Sequence, residues 1–182
     1  QWSPATYLTN LNDSSTLLTA PANTTTTNQV AFVQLLVSNA GGCKDSTTLS
    51  VTIRPQLLVT TNSDTTLCKG QSPTITLHTT ATGGDSNNYR YLWKDAAGNI
   101  LSALSAQDTL QVATDSTRTY TVHLTDGCTM LPDTANSAQV TVTIRQPLQL
   151  SIQPDTLVCK GSSVTLTAQA TGGKGTGFYT IE

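Results

Sequence analysis

The sequence predicts an all-β chain built from tandem β-sandwich domains of about 91 residues. The first observation behind this prediction is a repeat at one fixed offset: Trp2 recurs as Trp93, Val51 as Val142, Ile53 as Ile144, Arg54 as Arg145 and Cys68 as Cys159. The second is composition, because Thr supplies about a fifth of the 182 residues and Glu occurs once, which favours strands over helices. The third is period-2 alternation of apolar and polar residues, which is typical of strands with one buried face.

The elements follow in order along residues 56–146, the one repeat that the sequence holds whole. Short strand-like runs are separated by turn signals rich in Gly, Asn and Asp, and they lie at 56–61, 74–77, 89–94, 100–101, 109–112, 119–124 and 139–145. About seven short strands in such a length, with turns every 8–12 residues, are the signature of an immunoglobulin-like sandwich. On the third strand Trp93 takes the buried position, and Tyr120 and Trp2 are the other core aromatic residues that we expect.

The flanking residues match halves of the same template. Residues 1–55 read as the C-terminal part of a domain, and residues 147–182 as the N-terminal part of the next, with strands at 163–170 and 178–181. We therefore expect the sequence to be a window from a longer array. The linkers at 54–56 and 145–147 are short and contain Pro, so we expect stiff joints.

Composition and motifs argue against several classes of function. Charged residues are 11% of the chain and the formal net charge is −2, so the basic field of a nucleic-acid binder is missing. No apolar run reaches the length of a membrane span, so we expect no membrane insertion. We find no nucleophile elbow and no paired carboxylates, so we predict neither an enzyme nor a cofactor. Four cysteines on a Ser/Thr-rich, weakly charged chain favour an extracellular location.

Several motifs resemble one known group of modules. They are Cys68-Lys69-Gly70 before a Thr-rich strand, Ala-Thr-Gly-Gly at 81–84, the aromatic strand ending at Trp93, Tyr120-Thr121-Val122 leading to Asp126-Gly127-Cys128, and Trp2-Ser3-Pro4. Together they are similar to PKD-like or immunoglobulin-like tandem repeats of giant Bacteroidota cell-surface adhesins, including gliding-type proteins exported by type IX secretion. The first repeat departs from this pattern, because Val30-Ala31-Phe32-Val33 replaces the Tyr-Thr-Val strand.

The cysteines leave three alternatives open. Cys68 and Cys128 lie in one repeat, and Cys159 and Cys43 are their counterparts in the flanking ones. A bond between Cys68 and Cys128 is the simple interpretation, but an immunoglobulin-like topology puts them at opposite ends of the sandwich. Cys128 would then face the previous domain and bond to it, and four free thiols are the third alternative.

Other polar residues suggest sites of modification or metal binding. An Asp-(Ser/Thr)-x tripeptide, which is similar to the O-glycosylation motif of secreted Bacteroidota proteins, gives the candidate acceptors Ser14, Ser46, Thr65, Thr109, Ser116, Thr134 and Thr156. Turn chemistry in a Thr-rich chain is the alternative explanation. Calcium between domains has conceivable donors in Asp64, Asp85 and Asp126, but no loop forms a known calcium motif. For zinc, His78 and His123 are isolated, so we predict no metal site.

These observations favour a mechanical function. We expect a stalk or adhesive repeat segment of a large secreted or cell-surface filamentous protein, with neighbouring repeats of the same chain as its partners. Surface polysaccharide or another cell is a further candidate partner. A carbohydrate-binding or spacer module of a secreted polysaccharide-degrading enzyme is the first alternative, and an exposed aromatic cluster would favour it. A self-assembling extracellular filament is the second.

Overall fold

The computed structural model describes residues 1–70, 74–129 and 136–175. These residues form twelve strands and two 3-10 helices, with no α-helix among them. The strands are β1 (Trp2–Ser3), β2 (Gln29–Ser38), β3 (Lys44–Ile53), β4 (Leu58–Thr61), β5 (Thr65–Cys68), β6 (Ile75–Thr82), β7 (Arg90–Asp95), β8 (Thr109–Val112), β9 (Arg118–Thr125), β10 (Ser137–Arg145), β11 (Gln149–Ile152) and β12 (Ala168–Thr171). The 3-10 helices are Ala5–Tyr7 and Ser86–Asn88. The all-β prediction is therefore confirmed for the described residues.

The strands form four sheets whose orders are β1-β2-β3, β5-β10-β9-β7, β4-β6-β8 and β11-β12. Pairing is antiparallel in the β2–β3 hairpin and between β6 and β8, whereas β5 runs parallel to β10. A three-stranded and a four-stranded sheet within residues 58–145 is the arrangement expected of a β-sandwich.

The chain divides into two compact units. The first contains Gln1–Thr60, Thr80–Tyr91 and His123–Ser137, and the second contains Thr61–Thr79, Leu92–Val122 and Ala138–Glu182. Their borders differ from the repeat borders expected at 55/56 and 146/147, which stay a prediction.

Each unit has its own buried apolar residues. In the first these are Leu8, Val33, Ile53, Leu57, Tyr91 and Leu124, and in the second they are Leu77, Trp93, Tyr120, Val122, Val140 and Val142. Alternation explains the pattern, because successive side chains of a strand point to opposite faces. On β9 Tyr120, Val122 and Leu124 are buried. The hydroxyl of Thr119, one residue before them, shares a hydrogen bond with the hydroxyl of Thr141 on β10 at 3.2 Å. Each fully buried aliphatic side chain contributes about 1.5–3 kcal/mol relative to exposure.

One strand prediction needs correction, and one strand was not predicted. The strand expected at 163–170 is shorter and later, since β12 covers only Ala168–Thr171 and pairs with β11 over four residues. Residue 167, just before β12, instead bonds the Gln153 side chain through its backbone N–H and its hydroxyl. The strand expected at 178–181 lies outside the described residues. In addition, β5 is a strand at residues where no strand was predicted.

Candidate functional site

The candidate site is a joint in which a linker packs against a glycine turn. We call residues 54–57 with Gly83 and Gly84 the first joint. The backbone N–H of Gly84 donates to the carbonyl of Pro55 at 2.9 Å. Gly83 has φ +77°, and a Cβ atom on it would lie 1.9 Å from the carbonyl oxygen of Gln56. Only glycine permits this backbone conformation and this approach together.

The same contacts recur at the next linker. We call residues 145–147 with Gly172 and Gly173 the second joint. Gly173 donates to the carbonyl of Gln146 at 2.8 Å, and a Cβ atom on Gly172, at φ +82°, would lie 2.0 Å from the carbonyl oxygen of Pro147. The chain therefore builds one backbone arrangement twice. A sequence signal for it exists, because an Ala-Thr-Gly-Gly run follows each of the two linkers.

A buried asparagine holds the first joint from the other side. Asn23 is 4% exposed, and its amide donates to the carbonyls of Ile53 at 2.9 Å and Thr27 at 2.8 Å. Its side-chain oxygen accepts from the backbone N–H and the hydroxyl of Thr25, and its backbone carbonyl accepts from Gln56 N–H at 3.1 Å. Both polar atoms of this side chain are thus hydrogen-bonded, and the bonds of Asn23 with Ile53 and Gln56 fix the end of β3 and the start of the linker.

An ion pair joins the linker to the glycine turn. Arg54 Nη1 lies 2.6 Å from Asp85 Oδ2, and Asn88 Nδ2 donates to the same oxygen at 2.8 Å. The hydrogen bond from Asn88 and the one from Arg54 hold the pKa of Asp85 below its usual value. The bond to Asp85 likewise raises the pKa of Arg54. Since both side chains are partly exposed, the pair orients the linker more than it stabilises the fold.

Asp126 organises the neighbouring loop. Its Oδ2 accepts from Asp85 N–H at 2.6 Å, and its Oδ1 accepts from the N–H groups of Cys128 at 2.8 Å and Thr129 at 2.7 Å. Partial burial works to raise the pKa of Asp126, but the three backbone donors outweigh it, so the pKa lies below its usual value. Asp85 and Asp126 therefore lie together, whereas Asp64 binds elsewhere, accepting from Thr141 N–H at 2.8 Å.

A cleft of about 510 Å³ opens beside these groups, and Ile53, Arg54, Leu57, Gly84, Asp126 and Cys128 contribute to its wall. The wall combines apolar side chains such as Ile53 and Leu57 with Arg54, which forms the ion pair with Asp85. Cys128 Sγ lies 3.7 Å from Arg54 Nη1.

All four cysteines are free and exposed in the structure. The disulfide alternatives stay predictions. Cys68 ends β5, and Cys128 lies in the loop between β9 and β10. Cys43 directly precedes β3, and Cys159 lies between β11 and β12.

The three aromatic residues differ in burial. Trp93 is fully buried and Tyr120 is 4% exposed. Trp2 is only half-buried, which corrects the expectation of a core residue, because its indole N–H donates to the carbonyl of Asp13 at 2.9 Å at the surface. The large aromatic residues exposed among the described positions are Tyr7 and Phe32.

The candidate O-glycosylation residues fall into two groups. Ser14, Ser46, Ser116 and Thr156 are exposed, whereas Thr65 on β5 and Thr109 on β8 are half-buried. Thr134 lies outside the described residues. Glycosylation itself stays a prediction.

No group of three or more His, Cys, Asp or Glu residues that would hold a metal occurs in the described part of the chain. His78 Nδ1 lies 3.6 Å from Asp108 Oδ2, an exposed contact. No helix among the residues that the structure describes has the length and apolarity to cross a membrane.

No family model matches the chain, and no curated protein is significantly similar to it.

Proposed function

We propose that this chain is a stalk segment: a run of tandem immunoglobulin-like, PKD-like sandwich repeats that extends a large protein at a cell surface. The observation that carries the proposal is the recurrence of the joint, with the same glycine turn against the same linker backbone after Ile53 and again after Ile144. A protein that only needs separate domains can join them with any soluble linker. A chain that repeats a close backbone contact at each linker fixes the angle between consecutive repeats.

The joint between two repeats is stiff because its linker makes hydrogen bonds and an ion pair that a flexible linker lacks. At the first joint the linker has a backbone hydrogen bond on each side, to Gly84 and to Asn23, together with the Arg54–Asp85 ion pair. Each backbone bond contributes about 0.5–1.5 kcal/mol net, so bending the joint costs several such terms at once. Length then grows by duplication, because each repeat supplies its own core.

The strand order also supports immunoglobulin-like repeats. Within residues 58–145 the orders β4-β6-β8 and β5-β10-β9-β7 give two sheets of short strands, with Trp93 buried on the third of the predicted strands. A buried Trp at this place is a hallmark of such sandwiches.

The location at a bacterial surface rests on the resemblance to Bacteroidota adhesin repeats and on the exposed Asp-(Ser/Thr) tripeptides. Antibodies against the chain should label intact, unpermeabilised cells of the source organism, and brief treatment of those cells with protease should remove the label. Label that appears only after permeabilisation would contradict the surface location.

The stalk itself is tested with a tandem protein in which a second copy of the 182 residues follows the first directly. Because the length is two periods, the second copy continues the repeat in phase. A stiff rod roughly doubles its maximum dimension by X-ray scattering when its length doubles. A compact assembly would grow by only about 1.3-fold, as the radius of gyration of globular proteins scales. The second outcome would refute the stalk.

The carbohydrate-binding alternative requires aromatic side chains that are exposed to solvent. A sugar platform needs exposed rings together, whereas Trp93 and Tyr120 are buried. Isothermal titration of the chain with surface polysaccharide should therefore give no heat of binding. Saturable binding that is lost in Phe32→Ala would favour the alternative.

A further inference from the structure

The cysteines occupy two recurrent places in the repeat. One place is the end of the strand that pairs with the last strand of its repeat, at Cys68, with Cys159 at the same offset in the next repeat. The other is the loop or turn before that last strand, at Cys128 before β10 and at Cys43 before β3. Because the cysteines recur at two positions of the repeat, one pairing rule should apply to the cysteines at both positions.

Cys68 lies beside the residue that begins the second joint. It is the register partner of Arg145 in the parallel pair of β5 and β10, and the next N–H, that of Lys69, donates to the Arg145 carbonyl at 2.7 Å. Neighbouring strands lie about 4.8 Å apart, so Cys68 and Arg145 reach the end of the repeat together.

Cys128 lies beside the residue that begins the first joint. Arg54, the counterpart of Arg145 one period earlier, points its guanidinium at Cys128, with Nη1 3.7 Å from Sγ. The loop of Cys128 is fixed there, because Asp126 Oδ1 accepts from Cys128 N–H at 2.8 Å.

Superposed through the repeat, the two observations bring a cysteine of each repeat and a cysteine of the following one to the same arginine, one beside its backbone and the other beside its guanidinium. We propose that a disulfide links the Cys68-type cysteine of each repeat to the Cys128-type cysteine of the next repeat across the joint. The inference rests on the tandem-repeat organisation proposed above. It pairs no two of the four cysteines within the 182 residues, which agrees with four free and exposed thiols.

The chemistry is a two-electron oxidation by a low-molecular-weight disulfide. One cysteine thiolate attacks the oxidant and displaces one of its thiols, giving a mixed disulfide. The thiolate of the neighbouring repeat then attacks the protein sulfur of that mixed disulfide and displaces the second thiol. Each protein S–S bond formed thus reduces one oxidant molecule to two thiols, and the two cysteine protons go to those thiols or to solvent. Exposure of all four side chains lets the oxidant reach them.

The tandem protein tests this pairing. It is incubated, dilute, with oxidised glutathione, its remaining thiols are alkylated, and its disulfides are mapped by non-reducing peptide mass spectrometry. We expect two bonds, Cys68 of the first copy to Cys43 of the second and Cys159 of the first copy to Cys128 of the second, with the other four thiols alkylated. The single chain should keep four alkylated thiols.

Two variants sharpen the result. Cys68→Ser in the first copy should remove one bond and leave the other. Cys68→Ser in the second copy should leave both, because that residue has no following repeat in the tandem protein. Eight free thiols, bonds between Cys68 and Cys128 of one copy, or bonds only between separate molecules would each overturn the proposal. Scattering of the fully reduced tandem protein reports on the stalk independently, so a stiff rod without these bonds would refute the disulfide alone.

Discussion

Gly83→Ala places a methyl group where the first joint has no room. The new Cβ atom would lie 1.9 Å from the Gln56 carbonyl oxygen and 2.7 Å from its carbon. Both contacts are with backbone, so the turn and the linker must move apart by more than 1 Å, which is on the order of the gap to an ordinary contact. That movement breaks the 2.9 Å bond from Gly84 to Pro55.

The expected cost has three parts. An L-residue in the left-handed region costs about 1–2 kcal/mol, forced overpacking about 1–3 kcal/mol, and the lost hydrogen bond about 1 kcal/mol. The free energy of unfolding should therefore fall by roughly 3–6 kcal/mol.

Gly98→Ala is the matched control, because Gly98 has φ +87° and open space where the Cβ would be. It carries only the conformational part, about 1–2 kcal/mol. The two variants should thus differ by at least about 2 kcal/mol, which is roughly 8–16 °C in Tm for a domain of this size.

The assay is thermal and urea unfolding followed by Trp fluorescence in a Trp2→Phe background, which leaves Trp93 as the one tryptophan. Trp93 is fully buried in the predicted repeat 56–146, which contains both Gly83 and Gly98, so its emission reports the unfolding of that repeat. Equal Tm values for Gly83→Ala and Gly98→Ala would refute the claim that the glycine turn must contact the linker.

Three further outcomes are expected. Asn23→Ala leaves the Ile53 and Thr27 carbonyls without their amide donor and should cost about 1–3 kcal/mol in urea unfolding, whereas no change would show that water replaces the amide. Trp93→Ala should cost about 3–5 kcal/mol through the cavity it leaves, measured in the same way, and a loss below 1 kcal/mol would mean that Trp93 is not core. The pKa values of Asp85 and Asp126 are lowered by folding, so their contribution is present above the unfolded value near 4 and is lost as pH falls through the lower folded values. Urea midpoints should therefore fall between pH 5 and pH 3, and less so in Asp126→Asn; the same fall in that variant would assign the effect to other carboxylates.

The sequence predicted the strands of the central repeat well where alternation is regular. The run at 109–112 coincides with β8, and the one at 119–124 lies inside β9. Alternation succeeds here because the period of the apolar residues is set by the same pleat that buries them.

The features that no local sequence pattern marks depend on contacts between residues distant in the chain. β5 is four residues long and pairs in parallel with β10, about 77 residues away, so no local pattern marks it. Gly83 and Gly84 were recognised as loop residues, but their packing on Pro55 and Gln56 follows from the turn's position in the fold.

At Asn23 the sequence allows two interpretations, and only the structure decides between them. Its Asn-x-Thr sequence fits an N-glycosylation site as well as it fits a turn. Burial decides between the two, because the amide is 4% exposed and fully hydrogen-bonded inside the first joint.

The most direct measurement of the central claim is single-molecule extension of the reduced tandem protein, pulled from its two ends. The repeat predicts three complete domains in that protein, each of 91 residues, so force should produce three equal unfolding steps. Each step should lengthen the chain by a little under about 320 Å, from about 3.5 Å per extended residue. Steps of unequal length, or a smooth extension without steps, would contradict a stalk of independently folded tandem repeats.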